Sequence, residues 1–213
     1  MRQNFIFIQS ANLNDLSYEA LLSSSLLSEQ VIQQSAGLDD KRKKQFVACR
    51  YLLAELLNEH FDVDQLPNIK IGDNSRPQFE KVNLPDFNIS HSGNFIAVAI
   101  SSTGKIGLDI ELARARQNAK KIAMQFFSQQ ENEWLTQQSD PLNAFWQLWT
   151  LRESALKLYA KGVWQMKELA IAMPTQQITA KFATDFYPYH QQLEQIYLSI
   201  CCSHPIHSIV INE

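Results

Sequence analysis

Two acidic stretches, far apart in the sequence, carry residue types suited to holding a cation and accepting a proton. The first is Ile106-Gly107-Leu108-Asp109-Ile110-Glu111, and the second is Trp149-Thr150-Leu151-Arg152-Glu153-Ser154-Ala155-Leu156-Lys157. The first alternates apolar and acidic residues with a period of two. As a strand it sets Ile106, Leu108, Ile110 and Leu112 on one face and Asp109 and Glu111 on the other, the two acidic Cα atoms roughly 6.6 Å apart. The second reads as helix, with Leu142, Trp146, Trp149, Glu153, Leu156 and Ala160 on one stripe at spacings of three and four. Glu153 is thus an acid among apolar residues, costly unless paired or metal-bound. Three carboxylates on rigid elements, if they converge, suit a hard divalent cation that also holds phosphate oxygens.

Each feature also has a plainer reading. Asp109 and Glu111 fit the polar face of a half-buried strand, although Gly107 lets another group approach that strand. Glu153 and Lys157 fit an exposed i,i+4 ion pair worth about 0.3–0.5 kcal/mol. His91 lies in Asn88-Ile89-Ser90-His91-Ser92-Gly93, where a strand end with free amides can hold phosphate, or where a turn simply needs hydrogen bonds. Lys41 to Lys44 form a basic run that reads as a solvated face. Arg50 differs: it sits among Phe46, Val47, Leu53 and Ala54, and an oriented guanidinium suits bidentate phosphate binding. Arg76 precedes Pro77, which fixes the local backbone. Cys201, Cys202, His204 and His207 match no closed zinc pattern and read as strand packing, while the four tryptophans read mostly as core.

The elements that must position these groups follow from pattern. Phe5 to Gln9 is a strand, and 13–36 is helical in pieces. Asp39-Asp40 cap a helix from about Lys41 to His60, and Ile69 to Ile71 is a short strand. Gly72 to Pro77 is a turn cluster. Phe87 to Ser90 and Phe95 to Ser101 are strands joined at Ser92-Gly93-Asn94, and Ser102-Thr103-Gly104 leads to a strand over 105–112, in what the short connections predict to be an antiparallel meander. Helices follow over about 120–127, 128–135 and 140–160, with Ser128 and Glu131 as a capping box, and then strand-like segments to Asn212. The turn at 101–104 divides the chain into lobes 1–104 and 105–213.

In order, Ser75-Arg76-Pro77, Phe87-Asn88-Ile89-Ser90-His91-Ser92, the Gly-x-Asp-x-Glu block at 107–111, Phe127 to Glu131, and the Trp-Thr-x-x-Glu-Ser-x-x-Lys block at 149–157 resemble the 4′-phosphopantetheinyl transferases of the Sfp type. The resemblance runs from about Ser75 to Gly162, and more loosely to the helix of Arg50. It implies an α/β (α+β), pseudo-dimeric fold of two similar lobes, each with an antiparallel sheet and packed helices. It implies coenzyme A as co-substrate, Mg²⁺ as cofactor, and an apo-acyl or peptidyl carrier protein whose serine hydroxyl accepts phosphopantetheine. Asp109, Glu111 and Glu153 then become metal ligands, and Glu153 and Lys157 catalytic. Arg50, Arg76, Ser90, His91 and Lys157 would hold coenzyme A. Two departures stand out: Arg152 replaces a usual Lys with the charge kept, and Ser75 replaces a usual Gly.

Composition fits this reading. The chain has 213 residues, 45% hydrophobic and 19% charged, with net charge −3, which argues against generic nucleic-acid binding. Three cysteines make no disulfide framework and fit a reducing compartment. The apolar run Phe5 to Ile8 is too short for a signal h-region and no apolar run spans a membrane, so a cytoplasmic protein is expected, and a two-lobed chain that completes its own site is expected to be a monomer. A silent carrier-binding module and a metal-dependent phosphodiesterase are the alternatives. The intact set Asp109, Glu111, Glu153 and Lys157 speaks against the first, since a pure binder has no need of buried carboxylates, and the lack of further His or Asp ligands for a second metal against the other.

Overall fold

The computed structural model describes residues 3–212, the side chain of Asp73 excepted. Met1, Arg2 and Glu213, at the outer ends of the two expected lobes, lie outside it. The elements run β1 (Phe5–Asn12), α1 (Tyr18–Leu22), α2 (Glu29–Ser35), α3 (Asp40–Phe61), β2 (Ile69–Ile71), β3 (Pro77–Phe79), β4 (Asp86–Ser92), β5 (Phe95–Ser101) and β6 (Ile106–Leu112). Then come α4 (Ala119–Phe126), α5 (Gln129–Thr136), α6 (Pro141–Leu158), β7 (Leu169–Ala172), β8 (Gln177–Ala180), β9 (Tyr187–Gln192), β10 (Ile196–Cys202) and β11 (Ser208–Asn212).

Local chemistry sets the helix ends. Asp39 caps α3 by accepting the Arg42 N–H, and Asp62 closes the helix in the left-handed region at φ 53°. Ser128 and Glu131 form the expected capping box on α5. Asp140 caps α6 ahead of Pro141, whose missing N–H is harmless in the first turn.

The fold is α+β, built as four layers. One sheet has the order β11-β1-β5-β4 and the other β6-β10-β9, with two small ribbons, β2-β3 and β7-β8. Among the described residues, only β1 and β11 pair in parallel; the other pairings are antiparallel. Alternate residues separate the faces. Ile96, Val98 and Ile100 of β5 pack with Val47, Leu53 and Leu57 of α3. On the opposite face, Ile8 and Ala99 meet Ile106, Leu108, Leu198 and Ile200, so the two sheets bury a shared core. The far face of the second sheet packs Tyr197 and Cys201 with Trp146, Leu151 and Ala155 of α6. The order is α3, first sheet, second sheet, α6.

Two expectations change here. The meander stops at β5: β6 does not pair with it but begins the second sheet beside β10. The turn at Gly104, φ +80°, lets the chain change sheets. Second, β11 returns to lie beside β1, so the C-terminal strand joins the sheet of β1, β5 and β4. Among the tryptophans, Trp146 is core but Trp164 is 83% exposed. All three cysteines are free and buried.

Gly107 lets α6 seat on β6. A Cβ there would stand 2.0 Å from the Ser154 carbonyl oxygen and 2.5 Å from the Leu158 nitrogen, both backbone atoms. The group that approaches the strand is thus the helix carrying Glu153 and Lys157. Gly107→Ala is expected to lift α6 and lower stability by roughly 1–3 kcal/mol or more. Denaturant unfolding checks this, and an unchanged midpoint would mean that the helix has room to shift.

Candidate active site

The acids of β6 are not on a solvent face. Asp109 is 6% exposed and faces α6, as Gly107 does. Lys157 reaches from the last turn of α6 to Asp109, Nζ to Oδ1 at 2.7 Å, and also donates to Ser90 Oγ at 3.0 Å. The i,i+4 pair of Glu153 with Lys157 does not form among the described residues, because this lysine spans the gap between α6 and β6 instead. Burial raises the Asp109 carboxyl above its ordinary range despite Lys157. Its Oδ2 is buried with no hydrogen-bond partner.

Glu153 projects from α6 into the same space. Its carboxyl is pushed up to about 7, first by burial, then by the charges of Asp109 and Glu111, with Lys157 and Arg116 opposing. Glu111 accepts a hydrogen bond from Ser92 Oγ at 2.6 Å. The three carboxylates therefore share one electrostatic neighbourhood. Among the described residues, no group of three or more His, Cys, Asp or Glu side chains is placed as it stands to hold a metal ion. The donor chemistry fits a hard divalent cation: all oxygen, mutually repelling, with one buried oxygen left unpartnered. Cys201, Cys202, His204 and His207 form no such group either.

His91, at the exposed end of β4, lies within electrostatic reach of Lys157, Glu111 and Arg42, and burial with Lys157 lowers its pKa. Arg50 stacks its guanidinium 3.7 Å from the Phe46 ring centroid. It pairs with no carboxylate among the described residues, and burial lowers its pKa. Arg42, Phe46 and Arg50 repeat every four residues, so they line one side of α3. Ser90 sits inside the seam between β4 and β6. Arg76 is heavily engaged: it holds Asp86 with both Nη atoms, at 2.9 and 2.7 Å, and donates to the carbonyls of Lys157, Phe87 and Ile106. Ser75 beside it has φ 63°, the conformation in which glycine is comfortable, which explains why glycine is usual there.

Sequence reasoning missed two arrangements behind the site. Arg152 is fully buried and pairs with Glu131 of the α5 capping box, while its Nη1 donates to the carbonyls of Met166 and Leu169. Glu131 also accepts the N–H groups of Ser128 and Ile171. This buried pair fastens the helix of Glu153 to its neighbours, and a basic residue at an otherwise apolar helix position was the available signal. The second is a chain from His190 Nδ1 to Ser199 Oγ, 2.9 Å, and on to Thr150 Oγ1, 2.7 Å. It pins α6 to β10 one turn before Glu153, and no local pattern announces it. Burial pushes His190 down to about 4, so it is neutral at ordinary pH.

A family model of the 4′-phosphopantetheinyl transferase superfamily matches residues 105–208, the segment that carries Asp109, Glu111, Glu153 and Lys157. The 4′-phosphopantetheinyl transferase AcpT of Escherichia coli O157:H7 is 30% identical over 166 residues, 77% of this chain and 77% of its own length. AcpT of Salmonella typhi is 28% identical over 186 residues, 86% of this chain and 88% of its own. The uncharacterized protein YieE of Escherichia coli strain K12 is 38% identical over 143 residues, 66% of this chain; the match spans 57% of its length. The chain belongs to the 4′-phosphopantetheinyl transferase superfamily.

Proposed function

We propose that this protein transfers the 4′-phosphopantetheine group of coenzyme A to a serine hydroxyl of an apo-acyl or peptidyl carrier protein. The observation that carries the reading is the meeting of Asp109, Glu111, Glu153 and Lys157 across β6 and α6, in a chain of this superfamily. The serine oxygen would attack the pantetheine-side phosphorus of the coenzyme A pyrophosphate. The new O–P bond replaces the bond to the bridging oxygen, and adenosine 3′,5′-bisphosphate leaves. Glu153, directly or through water, would take the serine proton. Lys157 would neutralise charge on the pyrophosphate. Asp109, Glu111 and Glu153 would hold Mg²⁺, which when bound supplies charge neutralisation on phosphoryl oxygens.

Arg50, Ser90 and His91 would grip coenzyme A, mainly its phosphates. For Arg76 we propose bracing of that side of the cleft, since its guanidinium is taken up by Asp86 and three carbonyls. Both lobes come from one chain, 1–104 with the returning strand 208–212 and the rest of 105–213, which supports a monomer. No helix among the described residues is long and apolar enough to cross a membrane. With the net charge of −3, a cytoplasmic protein with no nucleic-acid partner is the companion reading.

Intact-mass analysis of apo-carrier proteins incubated with this protein, coenzyme A and Mg²⁺ tests the reaction: each holo product gains about 340 Da. No gain with any fatty-acid, polyketide or peptide-synthetase carrier would leave a silent carrier-binding module. A subsidiary expectation concerns the donor. Arg50→Ala and His91→Ala should raise KM for coenzyme A more than they lower kcat, since a grip on a non-reacting phosphate is uniform binding. With dephospho-coenzyme A, which lacks the 3′-phosphate, the penalty should shrink. An undiminished penalty moves these residues to another part of the ligand.

A further inference from the structure

The seam between the lobes is a repeated contact. Side chains at every second residue of β4 accept an N–H of β6: Ile106 N to Asp86 Oδ2 at 2.8 Å, Leu108 N to Asn88 Oδ1 at 3.1 Å, Ile110 N to Ser90 Oγ at 3.1 Å, and Leu112 N to Ser92 Oγ at 3.1 Å. The first two rungs end in carbonyl-type oxygens, which only accept. The last two end in hydroxyls, and a hydroxyl has one proton to give. With the β6 N–H occupying a lone pair, that proton must point elsewhere. Ser90 Oγ donates to Asp109 Oδ1 at 3.1 Å, and Ser92 Oγ donates to Glu111 Oε2 at 2.6 Å. The rungs thus become serines at the two positions beside the acids.

Ser90 has a further partner in Lys157 and stands among the proposed coenzyme A contacts. Ser92 bonds only Leu112 N and Glu111 among the described residues, and it is 7% exposed. We propose that Ser92 is a positioning residue: the Leu112 N–H fixes the direction of its hydroxyl, and that hydroxyl holds the Glu111 carboxylate turned toward the cation site. The inference rests on the reading that Asp109, Glu111 and Glu153 bind Mg²⁺. A hydrogen bond to a charged acceptor is strong enough to decide the rotamer of a half-buried glutamate. It also ties the aim of this carboxylate to the seam, so the acid is set correctly only when the two lobes are in register.

The test is calorimetric titration of MgCl₂ into the full-length protein, its Ser92→Ala and Ser92→Thr variants, and Ser92→Cys, whose thiol is a weak donor of similar size. Ser92→Ala and Ser92→Cys should each weaken Mg²⁺ binding by about 10-fold or more, as losses of outer ligand partners do. KM for coenzyme A should stay within about twofold, because the residue does not touch that ligand. Ser92→Thr keeps the hydroxyl and should keep the affinity. In a Glu111→Gln background, adding Ser92→Cys should change Mg²⁺ affinity by less than about twofold, since the carboxylate it aims is gone. Wild-type Mg²⁺ affinity in Ser92→Ala overturns the inference, and so does that result in Ser92→Cys should the alanine variant not fold. A wild-type protein that binds no Mg²⁺ overturns the cation reading and this inference with it.

Discussion

Asp109→Ala is expected to fold and to lose about a thousandfold or more in turnover, equivalent to several kcal/mol of transition-state stabilisation. The two effects separate because the carboxylate does little for folding. Burial already disfavours its charged form, raising its pKa, and Glu111 adds repulsion. Its partner Lys157 has a side chain 31% exposed, so the freed ammonium can return to water. A buried pair broken on one side usually costs much more. Stability should therefore change by no more than about 1–2 kcal/mol. The loss of rate comes from removing a carboxylate whose second oxygen, Oδ2, has no protein partner to satisfy it. The measurement is kcat on an apo-carrier protein at saturating Mg²⁺, beside a denaturant melt. A rate near wild type would remove Asp109 from the cation site.

What sequence alone revealed of this molecule divides by range. Periodicity is local, so β6 with its acids on one face, α6 with Glu153 and the α5 capping box were all legible from a few neighbouring residues. Gly107 marks a place of close approach in the sequence, and α6 is the group that approaches. The seam was not legible. Asp86, Asn88, Ser90 and Ser92 look like an ordinary polar face until the unpaired edge of β6 is laid against them. The meander expectation failed for the same reason: a short turn says nothing about whether the next strand stays in its sheet. Lys157 illustrates a third case. Helical spacing offers Glu153 as its partner, and only the tertiary fold brings in Asp109 at 2.7 Å. Arg152 keeps the charge of a lysine, yet its planar fork reaches Glu131 and two carbonyls at once, which a lysine's single ammonium cannot reproduce in the same geometry.

Glu153→Gln should abolish turnover while leaving the protein at least as stable, and the direction of its pH dependence makes the result specific. In the fold the Glu153 carboxyl is raised from 4.5 to about 7 by burial, then by Asp109 and Glu111. A raised carboxyl binds its proton more tightly folded than unfolded. Its contribution to stability is therefore full below about pH 4.5 and is lost as pH rises through about 7, an effect of up to a few kcal/mol. Above pH 7 the metal-free protein holds the Glu153 charge against the Asp109 and Glu111 carboxylates, charges that repel one another. Glutamine keeps the shape and drops one of them, so metal-free Glu153→Gln should melt higher than wild type at pH 8 and show a shallower fall in Tm between pH 5 and 8, where glutamine does not titrate. Mg²⁺ should raise the wild-type Tm at pH 8 and do much less for the variant, since binding stabilises only the state that binds. Turnover needs the carboxylate as proton acceptor and ligand together, so kcat should fall by about a thousandfold or more at any Mg²⁺ concentration. An exposed i,i+4 pair with Lys157 would give the opposite pattern: a change of a few tenths of a kcal/mol and intact turnover. Retained turnover in Glu153→Gln would return this residue to a structural role and remove the proton acceptor from the proposed reaction.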